Sequence, residues 1–322
     1  MGNLLAYSGI VTKVRAMQAK LLTDEDFQNI AAFHTVTEVA AYLKEHPGYR
    51  NVLADMDENR LHRGEIEKLL VQSLYSDYTR LYRFFRNGSG KKFLELYLKR
   101  YEMNLINYCL RIVFNHYQKP FDLDHKKIFF DKYSDLSIDK LITSGNIGEL
   151  VENLKGTEYY APLKRLENAE NPTLFDYDLA LNLYYFTTMW KKRKKILKHK
   201  ELEIFTRDAG AKIDLLNLQW IYRAKKYYNM LPPDISTLLI PIHYRIHVDQ
   251  LKDLVEAPSV DEVFKAGYQN DLICVTPILR HQASIETIYK DCLYRLYLAD
   301  RRSNPYSIAT VNTYPFSERG GA

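Results

Sequence analysis

Glycine and proline are scarce in this chain, 13 and 11 of 322 residues. Both break helices, so their scarcity predicts long helices with short connections. Cysteine is rarer still: Cys109, Cys274 and Cys292 are far apart and odd in number. That spacing supplies neither a disulfide framework nor a zinc site, and it fits a reducing cytoplasm. No stretch nears the roughly 18 uninterrupted apolar residues of a membrane span. The opening segment lacks the basic, apolar, small-residue order of a secretory signal. A myristoylation signal would need Ser or Thr at position 6, where Ala6 stands. A soluble protein is expected, with any membrane association made through partners. Charge of one sign is not in large excess either. The net charge of +5 is far from the strongly basic footprint of a dedicated nucleic-acid binder.

What the chain does contain is an ordinary globular balance, 46% apolar and 26% charged residues, enough for a sizeable core and one to three domains. Tyrosine is abundant at 26 residues. It covers apolar area and keeps one polar atom for a partner, which suits helix seams.

The sequence repeats itself. Thr35-Val36-Thr37-Glu38-Val39, Asn146-Ile147-Gly148-Glu149-Leu150 and Ser259-Val260-Asp261-Glu262-Val263 each place a capping residue three positions before a glutamate. In such a capping box the two side chains satisfy each other's free backbone N–H groups. Apolar residues follow at helical spacing: Val36, Val39, Ala40 and Leu43; Ile147, Leu150, Val151 and Leu154; Val260, Val263 and Phe264. Upstream, Phe27 and Ile30, Ile138 and Leu141, and Leu251 and Leu254 stand at matching intervals. The caps are 111 and 113 residues apart, far longer than the ~33–34 residues of ankyrin or tetratricopeptide arrays.

A long amphipathic helix is expected after each capped one, over Ile66–Phe85, Tyr177–Ile196 and Ile285–Ala299. After the first two comes a helix with an acid and a later arginine, Glu102 with Arg111 and Asp214 with Arg223. Arg15 stands in the corresponding helix of the first copy. These charged residues are expected at repeat seams, the arginine stem packed and its head paired with a carboxylate, with contact to a partner as the alternative. The expected fold is all-α: three pseudo-repeats of a multi-helix unit in one continuous body, divided at 1–100, 101–210 and 211–322. The SERGGA end, Ser317–Ala322, is expected to be disordered.

Catalytic chemistry is hard to find. Gly88-Ser89-Gly90-Lys91-Lys92 has Phe85 where a phosphate-binding loop needs glycine and Lys92 where it needs Ser or Thr, so a turn between helices is expected. His243 and His247 could share a helix face, but Tyr244 stands where a zinc-protease motif has Glu, and no third ligand is evident. Because Glu38, Glu149 and Glu262 are triplicated, capping is expected of them rather than acid–base work. Lys191–Lys200, KKRKKILKHK, holds seven Lys or Arg in ten residues. On a helix these cations are expected to wrap most of the way round, so a solvated helix end is the plain explanation, and an acidic partner, lipid headgroups or nucleic acid is the functional one. No catalytic residue, metal or cofactor is expected.

The segments Tyr7–Arg15, Leu21-Leu22-Thr23, Glu38–Tyr49 (EVAAYLKEHPGY), Gly148–Tyr160 (GELVENLKGTEYY) and Arg302–Ala309, in triplicated order, resemble the central-stalk socket of V/A-type ATPases. Members of that family are the d subunit of eukaryotic complexes and the C subunit of prokaryotic ones. The resemblance spans nearly the whole chain. It implies a helical funnel with threefold pseudo-symmetry on the cytoplasmic face of a membrane proteolipid ring, with the central shaft inserted into its mouth. It implies a non-catalytic rotor element that couples ATP hydrolysis or synthesis to proton or sodium transport, with shaft and ring as partners and no nucleic acid. The chain departs from the family after Tyr314, where a final charged helix is expected and absent, which implies an uncovered apolar face. The alternative is a helical scaffold or nucleic-acid-binding protein using Lys191–Lys200.

Overall fold

The structure, a computed structural model of the chain, describes residues 2–54, 56, 62–85, 88–116, 123–269 and 284–312. Among them all regular secondary structure is helical. Cys274, the segment after Tyr314 and the SERGGA end lie outside the described residues. The chain divides into two compact units, Met1–Tyr160 and Ala161–Thr313.

The first unit contains α1 (Gly2–Gln18), α2 (Asp24–Ala31), α3 (Val36–Glu45), α4 (Arg50–Leu53), α5 (Arg63–Phe84), α6 (Gly88–Phe114), α7 (Asp124–Tyr133), α8 (Ile138–Ile142) and α9 (Ile147–Asn153). Helix α10 (Tyr160–Lys164) starts at the junction. The second unit continues with α11 (Leu174–Ile196), α12 (His199–Tyr228), α13 (Pro232–Leu238), α14 (Val248–Glu256), α15 (Asp261–Gln269), α16 (Ile285–Ser303) and α17 (Ile308–Asn312). Positions 100 and 210, where the sequence repeat was divided, fall within the unbroken α6 and α12; the nearest helix breaks precede Gly88 and His199. Gly88 and Gly90 belong to the first turn of α6, not to a turn between helices.

Local rules explain most of these elements. In α1, Tyr7, Ile10, Val11, Val14 and Met17 are buried, a helical stripe that lies against α5. Helix α5 brings Tyr75 and Tyr78 onto α7. The Tyr75 ring stacks on Phe129 at 4.3 Å and 15°, while Tyr78 meets Phe129 edge-on at 5.4 Å. Such pairs add about 0.5–1.5 kcal/mol each beyond their buried area. Burial pushes the Tyr75 and Tyr78 hydroxyls well above the usual phenol range, so both stay neutral.

Helix α12 is the axis of the second unit. It packs on α11, α13, α15, α16 and α17, and its buried residues run from Ile204 to Ala224 around most of its circumference. It ends at Asn229 in the left-handed region, φ 46°, a conformation asparagine tolerates. Pro232 and Pro233 then open α13, where a missing N–H costs nothing. Gly210 sits mid-helix, where glycine is ordinarily unfavourable by about 1 kcal/mol relative to alanine. Its lack of a side chain is required here, because a Cβ would collide with the Tyr244 ring.

Paired short helices occur three times: α2 with α3, α8 with α9, α14 with α15. Residues 32–35, 143–146 and 257–260 join them, four in each case. The apolar positions upstream of the caps differ in depth. Ile138, Leu141, Leu251 and Leu254 are buried, whereas Phe27 is 57% exposed and α2 has no buried residue.

Gly210→Ala is expected to destabilise the protein by about 1–3 kcal/mol through overpacking against Tyr244. A lowered thermal midpoint in circular dichroism checks this; an unchanged or raised midpoint would show that the helix-propensity gain outweighs the clash.

Candidate functional site

The residues singled out by the repeat fall into three groups: caps, buried acids and exposed arginines. The caps are local. Thr35 Oγ1 accepts from the Glu38 N–H at 3.2 Å, and Glu38 Oε2 accepts from the N–H groups of Thr35 and His34, both at 2.9 Å. These bonds hold the Glu38 carboxyl below its ordinary range. Asn146 Oδ1 accepts from the Glu149 N–H at 2.9 Å. Glu149 in return accepts from Asn146 Nδ2 and the Gly145 N–H, both at 2.8 Å. The third site departs from this pattern. Helix α15 begins at Asp261, so Glu262 is its second residue, one short of capping-box register. Ser259 Oγ accepts from the Asp261 N–H at 3.1 Å, and Glu262 pairs with Lys265 at 2.5 Å.

The two repeated acids lie in the core. Glu102 on α6 accepts from Ser134 Oγ at 2.5 Å and from the Tyr159 hydroxyl at 2.6 Å. Lys99, one turn earlier, stands 3.5 Å from it and also pairs with Glu158. Asp214 on α12 is 0% exposed and accepts three backbone N–H bonds, from Tyr244 at 3.2 Å, Arg245 at 2.6 Å and Ile246 at 3.1 Å. Burial pushes its carboxyl up from the usual range, and the three donors pull the other way. Each acid therefore anchors the segment that leads into a short-helix pair: Ser134 precedes α8, and Tyr244–Ile246 precede α14.

The repeated arginines do not pair with those acids. Nine residues of helix turn a side chain through about two and a half turns, so a buried Glu102 or Asp214 places Arg111 or Arg223 on the opposite, outer face. Arg15, Arg111 and Arg223 are all exposed. Arg223 Nη1 stands 3.7 Å from Glu286 of α16, with both side chains nearly half exposed, a geometry worth at most about 1 kcal/mol.

Several polar residues that hold the second unit together carry no repeat signal. Asn217 donates to the Ile240 carbonyl at 3.0 Å and accepts its N–H at 2.9 Å. Lys225 Nζ donates to the carbonyls of Val255 and Ala257 at 2.6 and 2.5 Å, at the C-terminal end of α14, where a cation is favoured; burial lowers its pKa. Arg207 forms a two-pronged pair with Asp300. Beside it Asp208, 2% exposed, accepts from Asn312 Nδ2 at 2.7 Å. Burial raises the Asp208 carboxyl well above its usual range, and the Asp300 carboxylate raises it further. For Asn217 the available signal was an amide set among Leu215, Leu216 and Leu218, which must find a partner once buried; the charged residues, with polar neighbours of their own, carried none.

Elsewhere the chemistry is sparse. His243 and His247 are exposed, and the His247 N–H donates to Gln250 at the start of α14. Among the described residues no group of three or more His, Cys, Asp or Glu is placed to hold a metal ion. None of the helices there is long and apolar enough to cross a membrane.

This arrangement defines an all-α protein whose buried polar groups join helices and loops to one another. Residues 10–318 match the ATP synthase (C/AC39) subunit family, and the chain belongs to it. The C subunit of the A-type ATP synthase of Methanosarcina mazei is 27% identical over 266 residues, 81% of this chain and 71% of that protein. The proteins of the same name from Methanosarcina acetivorans and Archaeoglobus fulgidus are 26% and 25% identical, covering 96% and 97% of this chain and 84% and 88% of theirs.

Asp214→Ala strands three buried N–H groups and is expected to cost about 3 kcal/mol of stability. Arg223→Ala is expected to cost less than about 1 kcal/mol. Urea unfolding of the two variants compares them, and similar losses would contradict the distinction between anchor and outer face.

A raised folded-state pKa means that the Asp208 contribution is complete below the unfolded carboxyl value. It is lost as pH rises through the folded one. Thermal midpoints of the wild type are expected to fall across that window. In Asp208→Asn, which is nearly isosteric and does not titrate, the fall should be smaller; an equal fall in both would exclude Asp208 as its source.

Proposed function

We propose that this chain is the non-catalytic rotor socket of a V/A-type ATPase. The observation that carries this is the family match over residues 10–318, supported by relatives named as the C subunit of A-type ATP synthases. In this reading the chain lies on the cytoplasmic side of the membrane sector. Three pseudo-repeats, 1–100, 101–210 and 211–322, build a funnel that seats the central shaft at one end and the proteolipid ring at the other. Torque passes between them, so that ATP hydrolysis or synthesis is linked to proton or sodium movement.

The internal chemistry suits a torque element. Such a part needs resistance to bending, which helices tied by buried bonds supply; Asp214, Asn217 and Arg207–Asp300 are bonds of this kind. The exposed Arg15, Arg111 and Arg223 are proposed to face partners or neighbouring repeats.

Affinity purification of the tagged chain from detergent-solubilised membranes of its native cell tests this. Recovery of proteolipid and ATPase head subunits, together with ATPase activity, is expected. Recovery without any other component of the ATPase would overturn the proposal.

A further inference from the structure

In the basic run at Lys191–Lys200, Arg193 ties α11 to α12. Arg193 is buried, its Nε donating to Thr206 at 3.1 Å and its guanidinium lying 3.4 Å from the centre of the Trp190 ring. Met189, Arg193 and Leu197 face inward at i, i+4, i+8 spacing. Lys191, Lys194 and Lys195 are exposed, and at 100° per residue they fall within an arc of about 100° on the other side of α11; Lys198 is exposed in the extended link to α12. Lys200 is exposed beyond the two-residue link to α12 and pairs with Glu203 at 3.1 Å. The run thus forms a one-sided lysine face at the tip of the α11–α12 hairpin. No acid occurs between Asp178 and Glu201. The cations complement the C-terminal end of the α11 dipole, but that accounts for one or two of them, not five.

We propose that this tip is a docking surface for anionic lipid headgroups. The exposed cations are all lysine, a hydrated point charge on a flexible stem, and the run's one arginine is turned inward. Two-pronged recognition of a single phosphate is therefore not what the tip offers. No Phe, Tyr or Trp occurs within Lys191–Lys200, and the neighbouring Trp190 ring is covered by the Arg193 guanidinium, which leaves the His199 imidazole alone there for base stacking. The face is short and ends a hairpin. It can touch a flat, diffuse negative surface, where several lysines act together without fixed partners. The choice of a membrane as partner rests on the rotor-socket reading, which places the chain beside one.

Vesicle co-sedimentation of the purified full chain tests this. It uses vesicles of phosphatidylcholine alone and of phosphatidylcholine with phosphatidylglycerol, in 0.05 to 0.5 M salt at roughly 14 to 4 Å screening length. Binding is expected only to the anionic vesicles, fading with salt. It should weaken roughly fivefold for each of Lys191, Lys194, Lys195, Lys198 and Lys200 changed to Gln. A charge-matched variant with Lys92, Lys140, Lys155, Lys252 and Lys290 changed to Gln is expected to keep it, and circular dichroism reports whether each variant folds. If the variant with all five tip lysines changed fails to fold, the single substitutions give the same test.

Absence of binding to anionic vesicles, or equal loss in both variants, would overturn the proposal. So would tighter binding to a DNA duplex or to polyglutamate than to vesicles. Recovery of the ATPase complex without vesicle binding would sink the lipid surface and leave the socket standing.

Discussion

The carboxylate of Asp214, sealed in the middle of α12, accepts three backbone N–H bonds from the segment that enters α14. Much of the second unit's arrangement follows from that. A buried carboxylate is tolerable only when its lone pairs are occupied, so Tyr244–Ile246 cannot move away from α12 without leaving a charge or three donors stranded. Holding Tyr244 there puts its ring where a Cβ at position 210 would be, which explains the glycine in mid-helix. Asn217, one turn further along, fixes Ile240 on the same connection, and Lys225 closes the end of α14. Three polar residues on one helix thus determine where a neighbouring loop and helix pair lie.

The first unit meets a similar need with different chemistry. Glu102 binds hydroxyl groups, Ser134 before α8 and Tyr159 after α9, where Asp214 binds backbone. Ser134 Oγ also accepts the Leu136 N–H, so the anchoring reaches the backbone through one intervening side chain. In both units the acid points inward and the arginine nine residues later points out. That division follows from helical geometry.

The family assignment and the internal chemistry bear on function in the same way. The proposed socket role requires the chain to transmit force without yielding. The buried Asp214, Asn217 and Asp300 are committed to internal bonds of the kind that resists such yielding. The hairpin tip is different in kind. Its exposed lysines make almost no contribution to holding the fold, which leaves them to be shaped by an external surface.

Much of the organisation was legible in order and spacing. The scarcity of helix breakers pointed to an all-helical chain. The long amphipathic runs appear as α5, α11 and α16 within a few residues of their expected limits, and the capping patterns mark the starts of α3 and α9. These features are local: a cap, a stripe or a breaker acts within one or two turns, so the sequence determines them directly. Apart from the register of the third cap and the helical start at Gly88, what the sequence left open was mostly a matter of how distant segments pack. That Glu102 and Asp214 anchor loops instead of pairing with Arg111 and Arg223, that Arg207 meets Asp300, and that the lysine run is one-sided were decided by packing. Which side of a helix is buried, and which distant group a buried charge meets, depends on neighbours that no local pattern names.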